Sequence, residues 1–268
     1  MKNFSLVFID FEATGLYRGA DIVEIGAVSE NGSTFNVYLD TMENFKESAA
    51  QVTGMSIDSE GRLLKNGKVL DTVSRKEGFE KFFKFLQDVH NSSGQKQLVL
   101  VSHGTKDFDM PLMKANLQRL DHDLWQRFDK LLFRFCDTLV FAKSARNRLG
   151  LSRLGLRAIA NTLDVSYKGG NHGALSDAQL TKKVAAELGI HDGNISHCLF
   201  KWDRAFFRHD IEVGSPPRKR KREEPASPSL TEESVKKQTV PDATPVELNK
   251  DNTTSTCEIV GTCVNVVK

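Results

Sequence analysis

Two kinds of periodicity run along the chain, and each predicts a different kind of element. Side chains of a strand point alternately to opposite faces, whereas apolar positions three or four residues apart share one face of a helix. Residues 6–16 (LVFIDFEATGL) form an apolar run of strand type, and IVEIGAV at 22–28 and STFNVYL at 33–39 follow it. Glu30, Asn31 and Gly32 supply a hairpin turn between the second and third runs. The opening of the chain therefore predicts three antiparallel strands.

The middle of the chain changes from an irregular to a helical pattern. Residues 40–68 show little periodicity and contain three glycines, so we expect mostly loop there, with a short helix at about 46–51. From Arg75 onward the apolar positions recur with the helical period. They form one stripe made of Phe79, Phe82, Phe83, Leu86 and Val89. This stripe predicts a helix that packs against the core.

The second half of the chain alternates strands and helices. The apolar run QLVLVSHG at 97–104 is typical of a strand buried on both faces, and its position after a helix implies a parallel crossover. We expect a helix at 107–120, a last strand in FRFCDTLVFAK at 133–143, and helices at 151–165 and about 174–188. The order β-β-β-α-β-α-β-α-α predicts an α/β fold in which helices flank a mixed sheet.

Composition divides the chain into a core-forming part and a tail. With 268 residues, 39% of them hydrophobic, the chain can bury one substantial core, which we assign to a domain at 1–213. Residues 214–268 are rich in Pro, Ser, Thr and charged residues, and this composition predicts a disordered tail. The tail contains five consecutive cations: Arg218, Lys219, Arg220, Lys221 and Arg222. They predict a nuclear localisation signal for an import receptor, with a nucleic-acid patch or a solvated charge run as alternatives.

Net charge and cysteine usage narrow the class of protein. A net charge of +2 does not by itself indicate a nucleic-acid binder, so any basic surface must be local. The four cysteines, Cys136, Cys198, Cys257 and Cys263, lack the spacing of a metal site, which favours a reducing compartment. No stretch reaches the roughly 18 apolar residues of a membrane span, and the N-terminus lacks a leader pattern. We therefore expect a soluble protein that is not secreted and has no membrane partner.

The first strand carries two carboxylates that need an explanation. Asp10 and Glu12 are two residues apart, so they share one face, while Ile9, Phe11 and Ala13 take the other. Two adjacent anions repel each other, and a cation between them would offset that repulsion. Carboxylate oxygens suit Mg²⁺, with Mn²⁺ as the alternative. Considered alone, however, the pair is explained equally well as polar surface on a strand edge.

Two further acidic positions and one histidine extend this set. Asp109 lies at a predicted helix start and Asp177 on the last long helix, while His172 lies in a glycine-rich loop from which it can reach back. Considered singly, Asp109 fits a helix N-terminal carboxylate, His172 fits an ordinary loop histidine, and Asp107 is the alternative ligand near Asp109. Together the residue types favour a metal centre with a histidine beside it. We expect His103 to be structural, and Trp125 and Trp202 to pack in the core.

Three motifs, in order along the chain, resemble those of the DEDDh exonucleases. They are D-x-E-x-T-G at 10–15, H-G-T-K-D-F-D-M-P-L-M at 103–113 and H-G-A-L-S-D at 172–177. The first two are similar in particular to the three-prime repair exonucleases, and the resemblance covers about residues 4–190. Two features depart from that group: Gly104 stands where Asn is common, and a proline-rich insertion is missing.

The resemblance implies a ribonuclease H-like fold and a set of site residues. It makes Asp10, Glu12, Asp109 and Asp177 the ligands of two divalent metal ions, and His172 the general base. It also implies that Ala13, Thr14, Gly15 and Leu16 hold the terminal nucleotide, with Leu16 as a wedge against its base. A homodimer is compatible with the same resemblance.

The function expected from these residues is 3′-to-5′ exonuclease activity on single-stranded or frayed DNA, with release of nucleoside 5′-monophosphates. Two metal ions suit an in-line displacement at phosphorus, and a neutral imidazole can accept the proton of the attacking water. We expect the protein in the nucleus, with the cytoplasm as a second location. The alternatives are a catalytically silent nuclease-like nuclear scaffold that binds nucleic acid or protein, and an exonuclease that trims RNA on the same fold.

Overall fold

A mixed seven-stranded sheet forms the centre of the described part of the chain. The computed structural model describes residues 4–167, 172–191 and 193–202. The strands are β1 (Phe4–Ala13), β2 (Ile22–Ser29), β3 (Thr34–Leu39), β4 (Met55–Ile57), β5 (Leu63–Lys65), β6 (Lys68–Val69), β7 (Thr72–Val73), β8 (Gln97–Ser102), β9 (Leu132–Asp137) and β10 (Leu199–Phe200). The main sheet has the order β10-β9-β8-β1-β2-β3-β7, and β4, β5 and β6 form a separate small sheet.

The described residues form seven α-helices. They are α1 (Glu47–Thr53), α2 (Arg75–Ser92), α3 (Asp109–Leu120), α4 (His122–Leu131), α5 (Thr138–Ala145), α6 (Leu156–Thr162) and α7 (Ala174–Glu187). A short 3₁₀ helix at Ile195–Cys198 precedes β10. The three antiparallel opening strands and the parallel pairing of β8 with β1 are confirmed.

Helix α2 confirms the apolar stripe expected from the sequence. Its buried positions include all five predicted residues, and Ser74 caps its start by accepting a hydrogen bond from the Glu77 backbone N–H. Phe79, Phe82 and Phe83 each pack against the ring of Phe128 on α4. Each such buried side chain contributes roughly 1.5–3 kcal/mol of transfer free energy.

The two faces of β1 point into different environments. The odd-numbered side chains from 7 to 13 enter a core shared with α2, α3 and α4. The even-numbered Leu6 and Phe8 enter a second core, shared with α5, α6 and α7. Asp10 and Glu12 continue the second register, so the alternation of the strand directs both carboxylates to the side of α7. The face predicted from the sequence is confirmed.

The predicted last strand at 133–143 is wrong in its second half. Strand β9 ends at Asp137, and α5 begins at Thr138. Asp137 accepts a hydrogen bond from the Leu139 backbone N–H and so caps the new helix. A continuous apolar run does not distinguish a buried strand from a buried helix, and this one contains both.

Three other expectations from the pattern also need correction. The helix expected at 151–165 is shorter, because Gly155 precedes its first turn and α6 covers only Leu156–Thr162. The short helix near 46–51 is present as α1, but the supposed loop that follows contains the small sheet β4-β5-β6. Helix α4 was not expected, although Asp121 marks its start by accepting hydrogen bonds from two backbone N–H groups.

Among the described residues, every helix is too short or too polar to span a bilayer. Several other expectations concern residues outside the described ranges. The domain boundary at residue 213, the tail at 214–268 with its five cations, Cys257 and Cys263 all lie outside the described residues. They stay predictions.

Candidate active site

Asp10 and Glu12 on β1 pair with residues of the neighbouring strand β2. Asp10 lies opposite Gly26 and Glu12 lies opposite Glu24 in the antiparallel register of β1 and β2. A bulge follows Glu12, because Ala13 pairs with Ile22 and one residue of β2 is passed over. Bulges re-aim side chains and are frequent beside active sites. Glu24, only 2% exposed, is therefore a fifth carboxylate at this position.

Asp109 reaches the site from the start of α3, which the loop 103–108 connects to the carboxyl end of β8. It is 3% exposed, and its Oδ2 accepts a hydrogen bond of 2.6 Å from Ser102 Oγ at the end of that strand. Its charge acts on Asp10, whose pKa it helps to raise. Asp107 is only half-buried, and the groups that raise the pKa of Asp10 or of Glu12 do not include it. The geometry therefore favours Asp109 over Asp107.

The loop before α3 explains the glycine that departs from the family pattern. Gly104 has φ +83°, in the left-handed region that Gly and Asn tolerate best. Its backbone N–H donates to Asp137 Oδ1 at 2.8 Å, which fixes the loop to the start of α5. His103 Nε2 donates to the Leu154 carbonyl at 2.7 Å, and its Nδ1 pairs with the Thr138 hydroxyl at 2.8 Å. The structural role expected for His103 is confirmed, and burial lowers its pKa.

Asp177 is brought to the sheet by a close backbone contact. A Cβ built on Gly26 would lie 2.1 Å from the carbonyl carbon of Ala174 and 2.1 Å from the nitrogen of Leu175. Only glycine leaves room for α7 at this point, and Asp177 lies in the first turn of that helix. The same Gly26 is the partner of Asp10 in the strand register. The first turn of α7 thus lies against the strand pair that carries Asp10.

His172 lies beside Asp177, at the start of α7. Its Nδ1 is 2.9 Å from Asp177 Oδ2, and its backbone N–H donates to the Val52 carbonyl of α1 at 3.3 Å. Ligand atoms of Glu12, His172 and Asp177 lie within 4.8 Å of one another. Arg157 of α6 also contacts both oxygens of Asp177, at 3.2 and 3.4 Å. The five residues predicted from the sequence therefore come together from three different elements and one loop.

Burial and neighbouring carboxylates dominate the electrostatics of Asp10, Glu12 and Asp109. Burial, followed by the charges of Glu12, Asp109 and Asp177, raises the pKa of Asp10 well above its ordinary value. Burial and the neighbouring Glu24 raise the pKa of Glu12 to about 8. Burial raises the pKa of Asp109 to about 7, although the hydrogen bond from Ser102 opposes the increase. The protein alone thus disfavours the ionised form of these three groups.

The cluster is suited to cations rather than to another protein group. No hydrogen-bond donor among the described residues reaches Oε1 of Glu12, a buried atom. A buried carboxylate oxygen without a donor is costly, and a bound cation would satisfy it. The donor set of carboxylate oxygens suits hard divalent ions such as Mg²⁺ and Mn²⁺. The residues present therefore fit a divalent metal site.

An apolar cavity of about 150 Å³ adjoins Glu12. Its lining comes from the end of β1, the loop that follows, α1 and the start of α3: Phe11, Glu12, Ala13, Gly15, Leu16, Ser48, Ala49, Val52, Thr53 and Phe108. Leu16 is 59% exposed at this cavity. Thr14 differs from the other three predicted substrate contacts, because its buried hydroxyl donates to Glu43 at 2.6 Å. The contribution of α1 was missed, since that helix has no charged or aromatic motif to reveal it.

Sequence reasoning also missed Glu24, Lys65, Ser102 and Arg157. Lys65 Nζ lies 3.2 Å from Glu24 Oε2, and Arg157 contacts Asp177 as described above. The single available signal was Glu24, an isolated charge within the apolar run IVEIGAV. Lys65 and Arg157 lie among other cations in the sequence, and only the folded chain distinguishes them.

One family model matches most of this chain. Residues 7–185 match the family model RNase_T, described as "Exonuclease". Among curated proteins, no sequence matches this chain.

Solved structures of exonuclease I share the fold. One matches with a TM-score of 0.52 at 14% identity, over 69% of this chain and 40% of that chain. A product-bound structure of exonuclease I matches with a TM-score of 0.52 at 12% identity, over 71% and 44%. The complex of E. coli exonuclease I with a dT13 oligonucleotide matches with a TM-score of 0.52 at 14% identity, over 69% and 40%. This chain spans about two fifths of the length of these proteins, and the likeness is one of fold.

The sheet order, the flanking helices and these matches confirm the ribonuclease H-like exonuclease fold. A closer assignment to the three-prime repair exonucleases stays a prediction. Because the family model covers more than half of the chain, and the three DEDDh motifs lie within the matched residues, the chain belongs to the exonuclease family.

Proposed function

We propose that this protein is a metal-dependent 3′-to-5′ exonuclease that removes nucleoside 5′-monophosphates from single-stranded or frayed 3′ ends of DNA. The observation that carries the proposal is the position of Glu12. One of its oxygens lacks a protein donor among the described residues, and its neighbours are carboxylates, a histidine and an apolar cavity. A catalytically silent scaffold would have no need of such a costly arrangement.

The metal ligands in this proposal are Asp10, Glu12, Asp109 and Asp177. They would hold two Mg²⁺ ions, with Mn²⁺ as the alternative. When bound, the two ions stabilise the attacking and the leaving oxygen of an in-line displacement at phosphorus. Their positive charge would favour the ionised form of the carboxylates whose pKa the protein alone raises.

His172 acts as the general base. Its Nδ1 faces Asp177 Oδ2 at 2.9 Å, which orients the ring and leaves Nε2 to accept the proton of the attacking water. The backbone N–H of His172 donates to the Val52 carbonyl, so that both the backbone and the ring of this residue are held in place. Asp177 therefore has two tasks, since it orients the base and binds metal.

The apolar cavity receives the terminal nucleotide. Phe11, Ala13, Val52 and Phe108 provide apolar walls directly beside Glu12. The half-exposed Leu16 meets the base and separates it from the next one, which favours single strands and frayed ends. DNA is favoured over RNA by the fold likeness to an exonuclease I crystallised with a DNA oligonucleotide.

Two further parts of the proposal concern location and assembly. The cations Arg218 to Arg222 would bind an import receptor and direct the protein to the nucleus, with some protein in the cytoplasm. Replacing these five residues with neutral ones in a fluorescently tagged chain should then shift the tag to the cytoplasm. A homodimer would be revealed by sedimentation equilibrium, where a mass of one chain would contradict it.

The test uses 5′-labelled single-stranded DNA and RNA of the same sequence, incubated with Mg²⁺ or with a chelator. We expect DNA to shorten from its 3′ end in Mg²⁺ only, with nucleoside 5′-monophosphates as the second product. A chain that binds the oligonucleotides but leaves them intact in Mg²⁺ and in Mn²⁺ would support the scaffold instead. Equal or faster shortening of RNA would favour the RNA-trimming alternative.

A further inference from the structure

Glu24 is an acidic residue of the site to which the proposed reaction assigns no task. It lies directly opposite Glu12 on the neighbouring strand and is 2% exposed. Like charges that face each other across a strand pair destabilise it. Glu24 is also close enough to be the largest charge acting on Glu12, after the effect of burial. A free carboxylate at this position would be available to a cation as readily as Glu12 is.

Lys65 forms an ion pair with the Glu24 carboxylate. Its Nζ lies 3.2 Å from Glu24 Oε2, and both side chains are largely buried, 18% exposed for the lysine and 3% for the glutamate. The same ammonium lies 5.7 Å from the centre of the Tyr38 ring, which is the next cross-strand neighbour of Glu24. A cation over an aromatic face gains further stabilisation. Lys65 thus has a defined position rather than that of a surface side chain.

The small sheet fixes this lysine relative to the rest of the site. Lys65 ends β5 and pairs with Met55 of β4, and the following residue, Asn66, donates its backbone N–H to the Gly54 carbonyl at 2.8 Å. Gly54 ends α1, the helix that lines the apolar cavity and holds the backbone of His172. A Cβ built on Gly173, next to His172, would lie 3.1 Å from Lys65 Nζ. The lysine therefore lies between Glu24 and the histidine loop.

We propose that Lys65 is a positioning residue that holds Glu24 out of the metal site and so defines which carboxylates can serve as ligands. The ion pair occupies Glu24, and Glu12 is left with an oxygen that has no donor among the described residues. This inference rests on the proposed function. Without the lysine, Glu24 would become a fifth carboxylate that competes with Asp10 and Glu12 for a cation.

The test compares Lys65→Met with Lys65→Arg, Glu24→Gln and the double variant Glu24→Gln/Lys65→Met. Mn²⁺ binding is measured by calorimetry, and turnover by nucleotide release. We expect Lys65→Met to bind Mn²⁺ more tightly but to turn over about tenfold more slowly, a size typical of coupling between residues in contact. Lys65→Arg keeps the charge and should stay close to wild type. The double variant should recover turnover, because the competing carboxylate is gone.

The exposed Lys68 on the same hairpin provides the matched control, and Lys68→Met should change neither quantity. Thermal unfolding of each variant distinguishes a loss of stability from a displacement of the Glu24 carboxylate. The inference is wrong if Lys65→Met matches wild type in Mn²⁺ affinity and turnover, or if the double variant is no faster than Lys65→Met. A wild-type chain that neither binds Mn²⁺ nor releases nucleotides would instead overturn the proposed function.

Discussion

Two groups of buried and half-buried acidic residues lie at opposite ends of the segment that joins β1 to β2, and their surroundings differ. At one end, the carboxylate of Asp21 accepts hydrogen bonds from Thr41 Oγ1 at 2.8 Å and Arg119 Nη2 at 3.1 Å, and it forms an ion pair with Arg75. Glu43 beside it accepts from Thr14 and from the Asp21 backbone N–H. Every one of these contacts provides a donor for a negative charge.

At the other end, Asp10, Glu12 and Asp109 face one another, and their largest electrostatic neighbours are more carboxylates. Buried anions are tolerated when donors and cations surround them, and are costly otherwise. The Asp21 group therefore stabilises the loop that carries Gly15 and Leu16. The Asp10 group is costly to the protein alone, as expected of the proposed metal site.

Of the changes in the two acidic groups, we expect the removal of Asp109 to have the largest effect. We expect Asp109→Asn to abolish detectable nucleotide release, because the loss of one carboxylate from a shared two-metal site would disturb both ions. Folding should not suffer, because one of several repelling carboxylates disappears. Asp107→Asn is the matched control and should be mild. If the Asp107 variant is inactive and the Asp109 variant is active, the second motif has been assigned to the wrong residue.

The proposed general base can be distinguished from the proposed metal ligands in the same assay. His172→Ala should slow turnover by roughly 10²–10⁴-fold, the usual contribution of a general base. Mn²⁺ affinity should fall far less than in the Asp109 variant, because four carboxylates remain. A His172→Ala chain as fast as wild type would remove the imidazole from the mechanism.

The Asp21 group should respond in the opposite sense. Asp21→Asn leaves two arginines short of a partner, and we expect a loss of about 1–3 kcal/mol in the free energy of unfolding. The turnover number should change little once the protein is folded, since Asp21 is neither a proposed metal ligand nor part of the cavity lining. Chemical denaturation and single-turnover kinetics measure the two effects separately. A normal stability with lost turnover would contradict the distinction drawn above.

The last predicted effect is a dependence of the stability of the metal-free protein on pH. The folded-state pKa of Glu12 is raised from 4.5 to about 8 and that of Asp109 from 3.8 to about 7, so the folded chain binds protons that the unfolded chain releases. Metal-free stability should therefore fall as pH rises from about 5 to about 8. Mg²⁺ should restore more stability at pH 8 than at pH 5. Melting temperatures in chelator that rise with pH would contradict this sign.

The residues of the candidate site that belong to short sequence motifs could be predicted from the sequence. Asp10 and Glu12 follow from strand alternation, and His172 and Asp177 lie within six residues of each other. Glu24 and Lys65 could not be predicted as a pair, because three-residue strands such as β5 are too short to show a period. The apolar run 133–143 was misassigned for a related reason, since its helical half begins at the cap at Asp137 and is buried in the second core, neither of which its own pattern reveals.

Gly26 makes the two sides of the central sheet unequal in their tolerance of change. On the α2 side, side chains meet side chains, and a lost methylene can be offset by a neighbour that repacks. On the α7 side, main chain meets main chain, and no rotamer change relieves an added methyl group. Sequence drift should therefore accumulate around Phe79 and Phe128 while residue 26 stays invariant, and saturation mutagenesis scored for folded protein would reveal the asymmetry directly.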